Sequence, residues 1–212
     1  MIARLFKLFL LAIILLVAVK YCKTKRYPPG VLIKNDPHQT SVQNIRRVCG
    51  NDKGFEKSGY IYNPLASFRI QARVLGMKRY YSYSGPAAIV APYDLAVGWG
   101  PMSDQSVLDQ LKISQGNRFY FYEWENQPPL PKAEITSHST NIHLIPSDEA
   151  MERSLKRITA GDLVALSGYL VEVNGADIHG WRSSLSRTDS GNGACEILWV
   201  ESVEQLNLED LK

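Results

Sequence analysis

Three histidines and one cysteine are the residues whose types could do chemistry. Cys195 follows Gly191-Asn192-Gly193-Ala194, a stretch tight enough to bring a nucleophile close to a substrate. Such a nucleophile needs an imidazole base nearby. His143 or His179 can supply it, with Asp189 or Glu196 to orient the ring. The competing reading is plainer: Cys195 opens the apolar run to Val200, and a Cys at the head of a buried strand is normally an unreactive small hydrophobe. His138 and His143 with Glu134 upstream raise a metal site, if 134–137 and 141–145 are strands meeting near a turn. Zinc takes roughly three or four ligands, and no paired Cys or His-Glu-x-x-His motif supplies the rest. Odd spacing also puts the two imidazoles on opposite faces of a single strand. The reading adopted has no catalytic residue, no metal and no cofactor, with His143 and Cys195 as the only candidates for chemistry. In it His143 braces a strand-to-helix junction by donating to a backbone carbonyl.

The remaining chemical signatures are negative. Ser183-Ser184-Leu185-Ser186 lacks the Gly-x-Ser-x-Gly elbow of serine hydrolases. Neither Gly98-Trp99-Gly100 nor Gly191-Asn192-Gly193 leads into a helix, as phosphate and dinucleotide loops require. The aromatic run Phe119–Trp124 is different in kind. Tyr120, Tyr122 and Trp124 share one strand face and can form a stacking platform for sugars or bases. They are the candidate binding residues, with a packed core strand as the alternative.

The elements that must position these residues read as strands and short helices. Phe68, Ile70, Ala72 and Val74 alternate with Arg69, Gln71 and Arg73, the period-two pattern of a half-buried strand with a solvated basic face. Ser103-Asp104 caps a helix through about Leu111, and Pro146-Ser147-Asp148-Glu149 opens one that places Met151, Leu155 and Ile158 on one face before Gly161. Strands follow over 163–173, near 181–185 and over 194–200. In the last, Cys195, Ile197 and Trp199 face one way and Glu196, Leu198 and Val200 the other. Without regular β-α alternation, this predicts an α+β fold: a β-rich, mostly antiparallel sheet or small barrel with short helices. Gly161–Leu170 resembles a strand of an oligonucleotide-binding-type barrel, where a glycine such as Gly168 kinks the strand at a corner.

The 212 residues divide into 1–26, 27–58 and 59–212. Leu8–Val19 is unbroken and apolar, and with Leu5 and Phe6 the segment reaches 15 residues. That is short of the roughly 20 of an untilted span, but Lys7 and Lys20 can snorkel outward and Tyr21 suits the interface. A cleaved secretory signal is the competitor, yet Val17–Cys22 offers no small-x-small site. Residues 1–26 therefore read as an uncleaved transmembrane helix with basic flanks, holding membrane lipid through residues 5–21. Residues 27–58 read as an extended lead-in and 59–212 as the β-rich domain. The anchor holds six basic and no acidic residues, leaving 18 basic against 21 acidic in the rest. A net negative domain is a poor surface for nucleic acid, so nucleic acid is not an expected partner. If the domain is exported, Cys49 and Cys195 can pair as a disulfide or remain free thiols.

Beyond these local patterns, several stretches resemble a group of uncharacterised bacterial single-pass membrane-anchored proteins. They are Tyr27–Leu32, Asp94–Asp104, Asn141–Pro146, Gly168–Val171 and Gly193–Glu196. The resemblance implies a bacterial membrane setting and one continuous domain, and it carries over no catalytic residue. Together these readings predict a binding or assembly module of the cell envelope. It would sit in the bacterial inner membrane with its domain in the periplasm and an envelope protein as a further partner. The runner-up is an envelope hydrolase using a Cys-His pair or a His-bound metal.

Overall fold

The computed structural model describes residues 24–41, 54–186, 189, 191 and 194–211. Among the described residues ten strands fall in chain order: β1 His38–Ser41, β2 Phe55–Lys57, β3 Tyr60–Arg79, β4 Tyr93–Gly98, β5 Lys112–Gly116, β6 Phe119–Glu123, β7 Ser139–Pro146, β8 Leu163–Asn174, β9 Trp181–Arg182 and β10 Glu196–Leu206. Short α-helices between the described strands are α1 Pro86–Val90, α2 Gln105–Leu108, α3 Lys132–Ser137 and α4 Glu149–Leu155.

The period-two pattern of β3 does what it predicts on one face: Phe68, Ile70, Ala72 and Val74 are all buried. What the pattern does not reveal is the length of the strand and its two partners. Residues 61–73 of β3 pair with β8, while residues 73–79 pair with β4. From there β4 pairs with β7, β7 runs parallel to β10, and β10 pairs with β8. The ladder thus returns to its first strand and closes a five-stranded barrel whose only parallel contact is β7–β10. Closure leaves none of the five with a free edge. Gly168 stands where β8 crosses β10, and a Cβ there would collide with the carbonyl oxygen of Trp199. Only glycine permits that approach. The connectivity, with α4 between the third and fourth barrel strands, is that of the oligonucleotide-binding-type Greek-key barrel.

Apolar side chains fill the barrel. Leu95, Ile142, Leu144, Leu166, Leu170 and Leu198 are buried in one cluster, which α4 covers with Leu155 and the following turn with Ile158. Asp148 caps α4 by accepting from the Met151 N–H at 2.8 Å. The helix stops at Leu155, short of the Gly161 terminus expected from the pattern, and a turn completes the distance. A second cluster, including Tyr62, Ile145, Ile197 and Trp199, lies on the opposite side of the same strands. The two faces of β10 separate as its sequence predicts.

Residues 24–36 lie as a strap across the barrel. Lys25 pairs with buried Asp162 at 2.9 Å, the Leu32 and Ile33 N–H groups both donate to Ser103 Oγ at 3.0 Å, and Ile33 is buried in the barrel cluster. This strap corrects one expectation. Arg73, assigned to a solvated face, is 2% exposed. The face is outward, but the strap covers it: Arg73 donates to Lys25 O at 3.3 Å, Ser103 O at 3.1 Å and Gln105 Oε1 at 2.5 Å. A second correction concerns 134–137, which is not a strand but the body of α3. Pro131 starts that helix without needing its missing N–H. Among the described residues no helix is long and apolar enough to cross a membrane. The expected span, residues 5–21, lies outside the described residues, as does Cys49.

Candidate functional site

The β5–β6 hairpin is a two-stranded ribbon inserted between β4 and β7. Its two turn residues, Asn117 and Arg118, both have left-handed φ, 50° and 68°, as the tight hairpin turns that match strand twist demand. Asparagine tolerates that region; arginine does so only when its surroundings hold it. Here they do. The Arg118 N–H donates to Tyr80 Oη at 3.1 Å, and its guanidinium donates to Ala91 O at 2.7 Å and Asp94 Oδ1 at 2.9 Å. The guanidinium also lies 3.9 Å from the Tyr80 ring centroid, close enough for cation–π attraction. The hairpin tip is thereby latched to the outer wall of the barrel.

Asp94 is the hub of this latch. It is 1% exposed, and the same Oδ1 that meets Arg118 also accepts from His143 Nδ1 at 2.8 Å. His143 therefore does not brace a backbone carbonyl as expected; a buried carboxylate holds it, with Trp181 tilted against its ring at 5.4 Å. Asp94 Oδ2 and Arg118 Nη2 are buried without a hydrogen-bond partner among the described residues, an arrangement that costs stability unless geometry elsewhere requires it.

His143 and Cys195 line one pocket of about 250 Å³ together with Arg118, Phe119 and Trp181. The Cys195 thiol is free and reaches the Arg118 carbonyl at 3.9 Å. Burial, then Asp94 and Asp189, push the thiol up to about 11. A thiol held there is almost wholly protonated at neutral pH, the opposite of an activated nucleophile. The other imidazoles are elsewhere. His138 ends α3, where its Nδ1 lies 3.0 Å from Ser137 Oγ and 2.9 Å from Glu134 O, and His179 is exposed in the turn before β9. Among the described residues no group of three or more His, Cys, Asp or Glu side chains is placed to hold a metal ion.

Beside the latch lies a cleft of about 200 Å³. It draws on segments far apart in sequence: Trp99 after β4, Phe119, Tyr120 and Tyr122 of β6, Thr136 of α3, Ser139–Asn141 of β7, and Ser186, Asp189, Gly191 and Ala194–Glu196 before and at the start of β10. Hydroxyls tie its walls together. Tyr120 Oη pairs with Ser139 Oγ, Thr140 Oγ1 donates to Glu196 Oε2, and Ser184 Oγ donates to Asp189 Oδ2 at 2.5 Å. Burial pushes the Tyr120 phenol up to about 12, so it is a neutral donor and acceptor there. The three aromatic residues singled out by their shared strand face do form a row. Tyr120 and Tyr122 are 5.7 Å apart between ring centroids, and Tyr122 and Trp124 stack at 6.3 Å. Tyr120 and Tyr122 face the cleft; Trp124 borders a separate trough of about 450 Å³, and Lys132 lies 5.5 Å from its ring.

Arg118 and Asp94 escaped sequence reasoning, although Asn-Arg between two β-prone runs is a hairpin signal and Asp94 is a lone acid in an apolar run. In comparisons with known proteins, the chain matches no family model, no curated protein and no solved structure.

Proposed function

We propose that this chain is a membrane-anchored binding module of the bacterial envelope, working through the cleft between the β5–β6 hairpin and the barrel. One observation carries the reading: aromatic, hydroxyl and carboxylate side chains from separate segments converge on one concave surface. Convergent polar groups within an aromatic wall are the ordinary make-up of a ligand site. The apolar, base-flanked run at 5–21 supports a single transmembrane helix in the inner membrane with the barrel on the periplasmic side. An envelope protein remains a candidate partner, and the excess of acidic groups outside the anchor disfavours nucleic acid.

The test uses full-length protein in cells, with a photoreactive phenylalanine analogue at Tyr122 or at outward-facing Phe121. The module predicts a crosslink to an envelope component from Tyr122 that Phe121 does not give, and retention in the membrane after alkaline washing. Equal crosslinking from both positions overturns the cleft; release by the wash overturns the anchor.

A second reading, a hydrolase, is favoured by one observation: His143, oriented by Asp94, shares a pocket with Cys195. It requires Cys195 to be labelled rapidly by a thiol reagent at neutral pH and His143→Gln to abolish that labelling.

A further inference from the structure

We infer that the barrel rests on the bilayer, with the start of the strap and the adjoining Trp124 trough facing the phospholipid headgroups, rather than hanging free on its anchor. The inference rests on the transmembrane reading of residues 5–21 and adds the face that meets the lipid. It begins with chain length. From Tyr21, where the apolar segment meets the interface, to Lys25 the chain advances only a few residues, which span at most about 14 Å in any conformation. Lys25 is already part of the barrel. Its ammonium pairs with Asp162 at 2.9 Å, and its carbonyl accepts from Arg73 at 3.3 Å. Gly161 lies so close that a Cβ there would collide with the Lys25 backbone. The reach from the membrane is therefore short beside the breadth of a domain of this size, and the face around Lys25 stays turned to the lipid.

The next two residues extend that face. Arg26 Nη2 donates to both oxygens of Asp109 at 2.7 Å. Gln105 Nε2 donates to the same carboxylate at 2.7 Å, and Gln105 Oε1 accepts from the Tyr27 N–H at 3.1 Å. Clamped at each step, the strap adds no slack to the anchor. Asp109 also lines the trough that holds Lys112, Trp124 and Glu125, so the trough opens one side chain away from Arg26. Its composition suits a bilayer surface. Tryptophan collects at headgroup level, and Lys132 stands over the Trp124 ring. Lys25, Arg26 and Lys112 keep most of their side chains exposed although each is ion-paired. Their stems can lie along the interface while their remaining donors reach phosphate oxygens. A zwitterionic headgroup carries both charges and also accommodates Asp109 and Glu125.

The experiment places full-length protein in nanodiscs of phosphatidylcholine and phosphatidylglycerol with a nitroxide quencher on the headgroup. A small fluorescent amino acid replaces Thr24, Gln127 or Glu56, all of them exposed, and thermal unfolding confirms the fold of each variant. Thr24 reports the anchor and Gln127 the trough. Glu56 reports the β2 end of β3, roughly 40 Å along the strand from Arg73. The expected result is strong quenching at Thr24 and Gln127 and several-fold weaker quenching at Glu56. Trp124→Ala should weaken quenching at Gln127 several-fold and leave Thr24 unchanged. Quenching confined to Thr24, or equal at all three positions, overturns the docked face and leaves the anchor standing. Quenching at Gln127 that Trp124→Ala does not change overturns the trough as the lipid contact. An unquenched Thr24 would remove the anchor itself, so the two failures are distinguishable.

Discussion

The inner and outer faces of β7 are both buried, and they are buried by different means. Ile142 and Leu144 point into the barrel and are fully covered. Asn141 and His143 point outward and are 3% and 4% exposed. The inward pair is held by apolar contact, which is non-directional and tolerates small shifts. The outward pair is held by hydrogen bonds to particular atoms: Asn141 Nδ2 to Arg118 O at 3.1 Å and His143 Nδ1 to Asp94 at 2.8 Å. A closed barrel does not need its outer face covered. The hairpin covers it anyway, with a buried ion pair and two polar atoms that have no partner among the described residues, and the cleft sits at the margin of that cover. The interior specifies that the chain folds; the outer layer specifies where the hairpin stands.

Asp94→Ala should have the largest effect, because it leaves Arg118 and His143 facing a hole. Breaking a buried pair from one side costs about 3–5 kcal/mol, read as a shift in the guanidinium unfolding midpoint. The comparison sharpens with the double variant Asp94→Leu/Arg118→Leu. If the ionic layer positions the hairpin rather than stabilising the barrel, the double variant should recover most of that loss while crosslinking from Tyr122 falls. A double variant as unstable as Asp94→Ala would show that the latch belongs to the folding core.

Leu144→Ala comes next, at about 2–5 kcal/mol. Its cost should add to that of a cleft change such as Thr136→Ala, since independent sites couple weakly. Unfolding curves of the two single variants and the double variant measure this. Strong coupling would break the division between the two layers.

The inner layer was legible in the sequence because burial there has a period. Phe68 to Val74 in β3, and the separation of Ile197 and Trp199 from Leu198 and Val200 in β10, follow from alternation alone. Gly168 was legible as a kink at a barrel corner; its close approach to Trp199 O was not. The outer layer has no comparable signature. An outward position is polar whether water or another segment covers it, so Arg73 and Arg69 read alike; the strap buries the first, while the second stays exposed. Asp94 meets partners 24 and 49 residues away, a pairing that only the closed topology creates. The Tyr120, Tyr122 and Trp124 row was visible because its members lie on one strand; Trp99, Ser139 and Asp189, brought in from elsewhere, were not.

Group by group, a smaller effect comes from pH. Cys195 is raised from 9.0 to about 11, and Tyr62, Tyr93 and Tyr120 from 10.0 to about 12, chiefly by burial. Between the unfolded and folded values the unfolded chain releases these protons while the folded chain keeps them. Stability is therefore full below about pH 9 and falls as pH rises through 11 to 12, each group contributing at most about 1.4 kcal/mol per pH unit. Cys195→Ala should postpone the onset of the fall by about one pH unit, because the tyrosines begin to titrate later. Thiol alkylation should accelerate steadily to about pH 11; a plateau near pH 8 would mean an activated thiol and would favour the hydrolase.

The smallest effect is expected at Phe121, and it tests the hairpin as a cover with one working face. Phe121 alternates with Tyr120 and Tyr122 along β6 and is 48% exposed. Tyr122, by contrast, packs beside the satellite cluster of Met102, Leu111 and Ile135. Phe121→Ser removes an aromatic ring that the fold leaves partly in water, so it should change stability by no more than about 0.5 kcal/mol. Crosslinking from Tyr122 should be untouched. A loss above about 1 kcal/mol, or weaker crosslinking from Tyr122, would place a second contact on the outer face of the hairpin. The ribbon would then be gripped on both sides, and its likeness to the doubly buried β7 would be closer than its contrast.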